Sequence, residues 1–594
     1  MKIAVLIKQI PSPGEMRFDS GERRMVREGV ALEPNSLDMV ALGAALALRA
    51  EAGGEVVALS MGPPSAKDVL KAALLGGADQ AWLISDRALA GSDTLATAHA
   101  LADAIRLQGP DLVMLGRHSL DAETGQVGPM IAELLGWPLI TAVTSLTLRP
   151  DGRLDLRRAL EGGQESIVST LPAVVTAAEE LAEEVYISRK KVAAAEELPV
   201  GQLTVSQLGG DLARYGQAGS PTRVLPLRQE SVDRRRQMVD PGDPSAVEDA
   251  LRSHLAKVPP RPERVVRRGL PGQLWVALPR LDDSGQQLAR ELLGDAHRLT
   301  EPAGGTAAAV VWGSLSAAHR QLLGEAGASV IYVLEDQDDP PFHSGRAATA
   351  LAELIAERRP AAVLFPSTTH GREWAGRLAA RLELGLTGDA VAFAVADEGG
   401  LVMDKPSFGG LMVAPIVSRT RPDLATIRPG VCLPLTVPRQ GTVQVVQRPL
   451  PAAADGMTVG AVTPYALDAQ LLAPRPVVLS VGMGVPEVRV AEVAELARRH
   501  GFGLGASRAV TDAGRLPKAF QVGLTGRTVA PRVYVALGIS GAFEHLVGIR
   551  RADVVVAVNT DGEAPIFQAA DLGMVADWEA GLKVLTGVLS ALPD

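Results

Sequence analysis

The sequence predicts an α/β protein built from three mostly parallel-sheet α/β domains, two of them pseudo-repeats of one another. Three observations lead there. A short apolar run without alternation at 533–539 has the pattern of a strand buried on both faces, and runs such as 111–115 also read as strands. These runs alternate with longer amphipathic stretches, the βαβ rhythm of right-handed parallel sheets. Finally, PDLVMLGRHSLDAETGQVGPMIAELLGWPLITAV at 110–143 is echoed by PAAVLFPSTTHGREWAGRLAARLELGLTGDAV at 360–391. Each reads proline, strand, polar loop, amphipathic helix and a leucine-bearing turn, as two similarly folded units would. Only the first carries TGQVG, so the second unit is expected to keep the scaffold without the ligand loop.

The elements follow in order. Residues 2–10 read as a first strand and 11–30 as a charged, irregular stretch. Asn35 or Ser36 can cap a helix over 39–49. A strand at 55–61 ends in Gly62-Pro63-Pro64, and Ser65 opens a helix to 75. A third strand at 111–115 runs directly into the polar loop 116–128, followed by a helix at 129–135. Residues 200–272 change character, rich in Arg, Gln, Asp and Pro, and read as a solvated linker rather than a basic docking patch. A second α/β unit begins near Leu274. A third occupies 474–594, with strands at 476–481, 533–539 and 553–558, a helix carrying Glu544 and His545, and another with Pro565 near its first position, where a missing N–H is harmless. A helix over 577–592 ends the chain.

Composition narrows the function. The 594 residues are 47% hydrophobic, enough for ordinary cores. A net charge of -9 and pI of about 5.7 give no sign of a nucleic-acid binder. The single cysteine, Cys432, excludes intrachain disulfides and an all-cysteine iron–sulfur site, so any electron traffic needs an organic cofactor. The opening MKIAVLIKQIPSPGE has no cleavage pattern and no run reaches membrane-spanning length, so a cytoplasmic protein is expected.

Three long runs, GISGAFEHLVGI, AVNTDGEAPIFQAADLG and GASRAVTDAG, resemble the α subunit of electron transfer flavoprotein. The first 190 residues separately resemble the β subunit. The resemblance implies a β–α fusion: a β-like domain at 1–199, the linker at 200–272, an α-like N-terminal domain at 273–450 and a Rossmann-like FAD-binding domain at 451–594. It implies FAD contacts at Ser507, Arg508, Val522, Gly523, Leu524, Thr525, Ser540, Gly541, Ala542, Phe543, Glu544, His545, Asn559, Asp577 and Trp578. His545 would face the flavin O2, Arg508 the ring face or edge, and Thr525 the N5–O4 edge, since a reduced flavin gathers charge that donors stabilise. Each has a plainer reading: a core histidine, a surface ion pair, or turn residues at Thr525 and Asn559.

In the β-like domain the resemblance implies AMP, or a second FAD, at Leu6, Asn35, Ser36, Leu37, Asp38, Met61, Gly116, Asp121, Thr124, Gly125, Gln126 and Val127. There the loop N–H groups at a helix start would take the phosphate. Two positions depart from the family: Glu544 stands where Gln is usual, and Met483 where a glycine-rich turn usually has Arg. The β-like docking loop, VYISRKKVAAAEELPV at 185–200, lacks the leucine-bearing spelling. The implied function is an electron carrier rather than a substrate-transforming enzyme. It would take electrons from flavin dehydrogenases and pass them to a quinone oxidoreductase or similar acceptor, as a monomer equivalent to an αβ heterodimer. The variants are an electron-bifurcating protein with two FADs and NADH oxidation, and a redox-inactive nucleotide-binding regulator or scaffold.

Overall fold

The computed structural model describes residues 1–590, apart from 13–16, 20–23, 27–29, 196, 230–233, 259–267, 337–339, 408–411, 433, 438–442, 453–455, 465–474, 524–525 and 528. The chain divides into two compact units. One holds Met1–Gln229, Val266–Phe408 and Val413–Thr463; the other holds Glu230–Val265, Gly409–Met412 and Pro464–Asp594.

The first unit contains both repeats, each around its own sheet. In the first repeat, the strand Lys2–Leu6 lies between Glu55–Met61 and Leu112–Gly116, with parallel pairing on both sides. In the second, Gln273–Leu278 lies in the same way between Thr306–Trp312 and Ala362–Pro366. Both sheets then continue through a late parallel strand, Ala173–Ala177 or Asp423–Ile427, to the strand after the repeat helix, Leu139–Leu148 or Leu386–Ala390. The match extends to backbone detail. Aligning LITAV with LTGDA sets Ala142 against Asp389, and these two non-glycine residues both take a left-handed φ, 52° and 55°. Each N–H donates to a buried threonine hydroxyl, Thr176 for Ala142 and Thr426 for Asp389.

The repeats meet helix to helix, Val127–Leu135 against Thr369–Leu382. Gly376 allows this approach: a Cβ there would lie 2.7 Å from the Cβ of Pro129, its counterpart in the other repeat. Beside this contact lies a buried ion cluster. Arg158 donates to Glu165 and Glu373 at 2.7 and 2.6 Å, and all three are 1% exposed. Glu373 also accepts from the backbone N–H of Thr141 at 3.2 Å.

The second unit has a sheet in the order Gln237–Met238, Leu572–Val575, Val554–Asn559, Val533–Leu537, Val477–Val481, Gly503–Ala506, parallel throughout. Counting its five long strands along the chain, the spatial order is 2-1-3-4-5, one of the two common doubly wound arrangements. Its three central strands are mostly apolar and, but for Asn559, buried, as the runs without alternation require.

Much of 200–272 is packed rather than free. Gly201–Leu203 adds a parallel strand beside Gln80–Ile84. Tyr215 is buried and its hydroxyl donates to Asp103 at 2.6 Å. In the second unit, Gln237–Met238 extends the sheet, Arg234 donates to Asp571 at 2.7 Å, and the helix Pro244–Lys257 buries Val247 and Leu251 near Trp578–Leu589. Composition hid these elements because two- and three-residue edge strands carry no periodicity, and the helix exposes a polar face. The strand Met457–Pro464 likewise pairs in the first repeat's sheet, so most of that stretch belongs with the first unit, outside the C-terminal domain expected from 451. Among the described residues no helix is long and apolar enough to cross a membrane.

Candidate functional site

In an open α/β sheet, ligands bind beyond the carboxyl ends of the strands, where the strand order reverses. In the second unit that point lies between Val477–Val481 and Val533–Leu537. The turns leaving these two strands pack backbone to backbone. Gly482 N–H donates to Leu537 O at 2.8 Å and Gly484 N–H to Gly538 O at 3.1 Å. A Cβ on Gly484 would fall 2.8 Å from the Gly538 Cα, and Gly538 itself has φ +61°. Side chains are thereby kept out of the switch point.

Most of the FAD-contact residues expected from sequence gather around this point. Ser507 caps Arg508–Asp512, its N–H bonded to Val481 O at 3.0 Å, and its hydroxyl is buried without a partner. Arg508 is exposed and pairs with Asp512 at 3.2 Å. Ser540, Gly541 and Ala542 form the turn after Val533–Leu537. Gly541 has φ +89°, and a Cβ there would stand 2.2 Å from Ile566 N. Phe543 is half-buried and Glu544 exposed, so the carboxylate that departs from the family stays solvated. Val522 and Gly523 are buried beside this turn; Leu524 and Thr525 lie outside the described residues.

His545 is 5% exposed. Its Nε2 is hydrogen-bonded to the Tyr534 hydroxyl at 2.9 Å, and Nδ1 lacks a hydrogen bond of good geometry, with the Val522 backbone nearby. Burial pushes its pKa down to about 4, so the ring is neutral at pH 7. Two other expected residues do local work. Asn559 donates to Ile539 O and accepts from Asp561 N–H, both at 2.9 Å. Asp577 caps Trp578–Leu589 by accepting from Glu579 N–H. Trp578 is buried under the Arg489 guanidinium, 5.2 Å from the ring centre, a cation–π contact with no signature in the spacing of the two residues. Met483 is exposed. The paired glycine turns and the free Ser507 hydroxyl leave bare backbone and a short polar side chain for a hydrogen-bonding cofactor at this switch point.

The first repeat places its own switch point between Lys2–Leu6 and Leu112–Gly116. Leu6, Leu37 and half-buried Met61 supply apolar walls, and Ser36 starts the helix Ser36–Ala52. Asn35 is fully buried and spends its side chain on the loop, donating to His118 O and accepting from Leu120 N–H. Asp38 accepts from Lys8 N–H and Gly116 N–H, both at 2.8 Å, and burial pushes its carboxyl up to about 6. Burial also raises Asp121, but Lys8, 2.7 Å away, outweighs it and holds the carboxyl below its usual range. Gln126 is buried and accepts from the Thr94 hydroxyl, while its Nε2 has no partner. Thr124, Gly125 and Val127 complete the loop, Gly125 with φ +63°.

The second repeat has no such loop. Its corresponding cavity, beside Leu278, Ser284, Pro366 and His370, is small, about 40 Å³. Glu161 from the first repeat already accepts from the N–H of Thr369 at 2.6 Å, at the helix start where an anion would sit. Among the described residues no cluster of metal-ligating side chains exists.

Comparison with known proteins agrees with this division. The family described as electron transfer flavoprotein domain matches residues 24–207 and 279–453, and that described as electron transfer flavoprotein FAD-binding domain matches 472–550. The chain is 40% identical to an electron transfer flavoprotein subunit beta of Clostridium acetobutylicum over 240 residues, 40% of this chain and 92% of the relative. It is 36% identical to the subunit alpha of Syntrophomonas wolfei over 320 residues, 54% of this chain and 98% of the relative. It is 32% identical to Protein FixB of Rhizobium meliloti over 340 residues, 55% and 96%. The beta-type match and the alpha-type matches together account for two repeats and an FAD-binding unit on one polypeptide: the chain belongs to the electron transfer flavoprotein family, with a β-type sequence running into an α-type one.

Proposed function

We propose that this protein is a one-chain electron carrier that holds FAD at the switch point of its C-terminal unit and AMP at that of its first repeat. It takes electrons from flavin dehydrogenases in the cytoplasm and passes them to a quinone-linked oxidoreductase. The observation that supports this best is the close approach of the 482–484 and 538–541 turns, which leaves bare backbone and short polar side chains at the reversal of a doubly wound sheet. Bound FAD supplies one- and two-electron chemistry. The chain's part is to bind and orient it: Ser540, Gly541 and Ala542 at a helix start for polar groups, Ser507 and the neutral His545 as hydrogen-bonding side chains, and Arg508 as an exposed cation.

The test is to denature the purified protein and quantify the released cofactors by mass spectrometry. One FAD and one AMP per chain are expected. Two FADs without AMP would replace this reading by the bifurcating one, in which NADH is oxidised. Absence of flavin after reconstitution, or flavin that cannot be photoreduced, would leave only a nucleotide-binding regulator or scaffold.

A further inference from the structure

We propose that Arg372, from the second repeat, is a positioning residue that shapes the first repeat's ligand loop for an anion. The inference rests on the reading that this loop binds a nucleotide phosphate. Arg372 reaches across the contact between the two repeats. Its Nη1 donates to Glu123 O at 3.0 Å and Thr124 O at 3.3 Å, its Nε to Ser367 O at 3.2 Å and its Nη2 to Asp389 at 3.1 Å. The five donors of a rigid guanidinium suit this fork; an ammonium cannot hold the same set at once.

The consequence lies in the peptide planes. In a trans peptide the C=O of one residue and the N–H of the next point in opposite directions. With the carbonyls of Glu123 and Thr124 turned to Arg372, the N–H groups of Thr124 and Gly125 are turned away from it. Among the described residues neither N–H makes a hydrogen bond. Two adjacent free N–H groups aimed one way are the makings of an anion-binding nest. Gly125 suits the loop by its φ of +63°, and a Cβ there would press on the Arg372 side chain at 3.3 Å.

Charge behind the loop favours the same ligand. Lys405 donates to Ala122 O and Pro406 O, and burial lowers it to about 8. Arg428 donates to Asp389 at 2.9 Å. Burial alone would raise Asp389, but Arg428 and Arg372 hold its carboxyl well below the usual range, so it stays ionised as their anchor. On the Arg372 side of the loop, Arg372, Lys405 and Arg428 thus outnumber the carboxylates Asp389 and Glu123 by one.

The experiment titrates AMP into the full-length, nucleotide-stripped protein by calorimetry, with flavin content and thermal midpoint recorded on each sample. In Arg372→Ala, AMP binding is expected to weaken by about tenfold or more while flavin per chain is unchanged, because the N–H groups lose their fixed aim. Arg372→Lys should recover only part, keeping the charge without the fork. AMP affinity within twofold of wild type in folded Arg372→Ala overturns the inference. So does wild-type affinity in Arg372→Lys, should the alanine variant fail to fold. If the unaltered protein binds no AMP, the nucleotide reading itself fails, and that outcome is distinct from the other two.

Discussion

Removing Glu373 tests how the two repeats are held together. Its Oε1 accepts from Arg158 Nη1 at 2.6 Å and from Thr141 N–H at 3.2 Å, and Arg158, Glu165 and Glu373 are each 1% exposed. Glu373→Ala leaves a buried guanidinium with Glu165 as its one remaining counter-ion, and takes the acceptor from a buried N–H. Breaking a buried pair from one side costs about 3–5 kcal/mol, most of it the penalty of the charge left behind. Glu373→Gln keeps the acceptor for Thr141 and loses only the charge, so it should cost about 1.5–3 kcal/mol. Urea unfolding followed by tryptophan fluorescence measures both, since Trp374 is fully buried in the adjacent position. Hydrogen exchange at the Thr141 amide should quicken in the alanine variant and much less in the glutamine one. A loss under about 1 kcal/mol for Glu373→Ala, or equal losses for the two variants, would refute the reasoning from desolvation.

Two further outcomes concern the C-terminal unit. His545 titrates near 4 when folded and near 6.5 when unfolded, so between these values the unfolded chain binds the extra proton. Stability is therefore intact above about pH 6.5 and falls as pH drops towards 4, by about 3 kcal/mol in all. His545→Asn should flatten the dependence of the urea midpoint on pH over that range, and an unchanged slope would remove His545 as its source. Gly541→Ala forces a side chain into a left-handed φ of +89° with backbone 2.2 Å away. It should cost about 1–3 kcal/mol and reduce flavin bound per chain, read from absorbance against protein concentration.

What could be read from the chain alone was whatever has a local signature. Buried parallel strands show as apolar runs such as 533–537, and ligand turns show as glycine with short polar residues at their ends. The repeat was visible because its two copies keep the same order of proline, strand, loop and helix. Contacts made between distant segments were not visible. Nothing near Arg372 hints that its partners are Glu123 and Thr124, or near His545 that Tyr534 takes its Nε2, because such pairs are chosen by the fold and not by spacing. Edge strands as short as Gln237–Met238 are likewise invisible, having too few residues for any periodicity.

The meeting of Pro129 with Gly376 has a consequence for assembly. Two like halves related by a two-fold axis would each present the same residue there, as any isologous dimer must. Two N-terminal halves would drive proline into proline where only a hydrogen atom fits. The mismatch therefore works against two leading halves pairing with each other and favours a leading half beside a trailing one, a preference written into a single missing methylene.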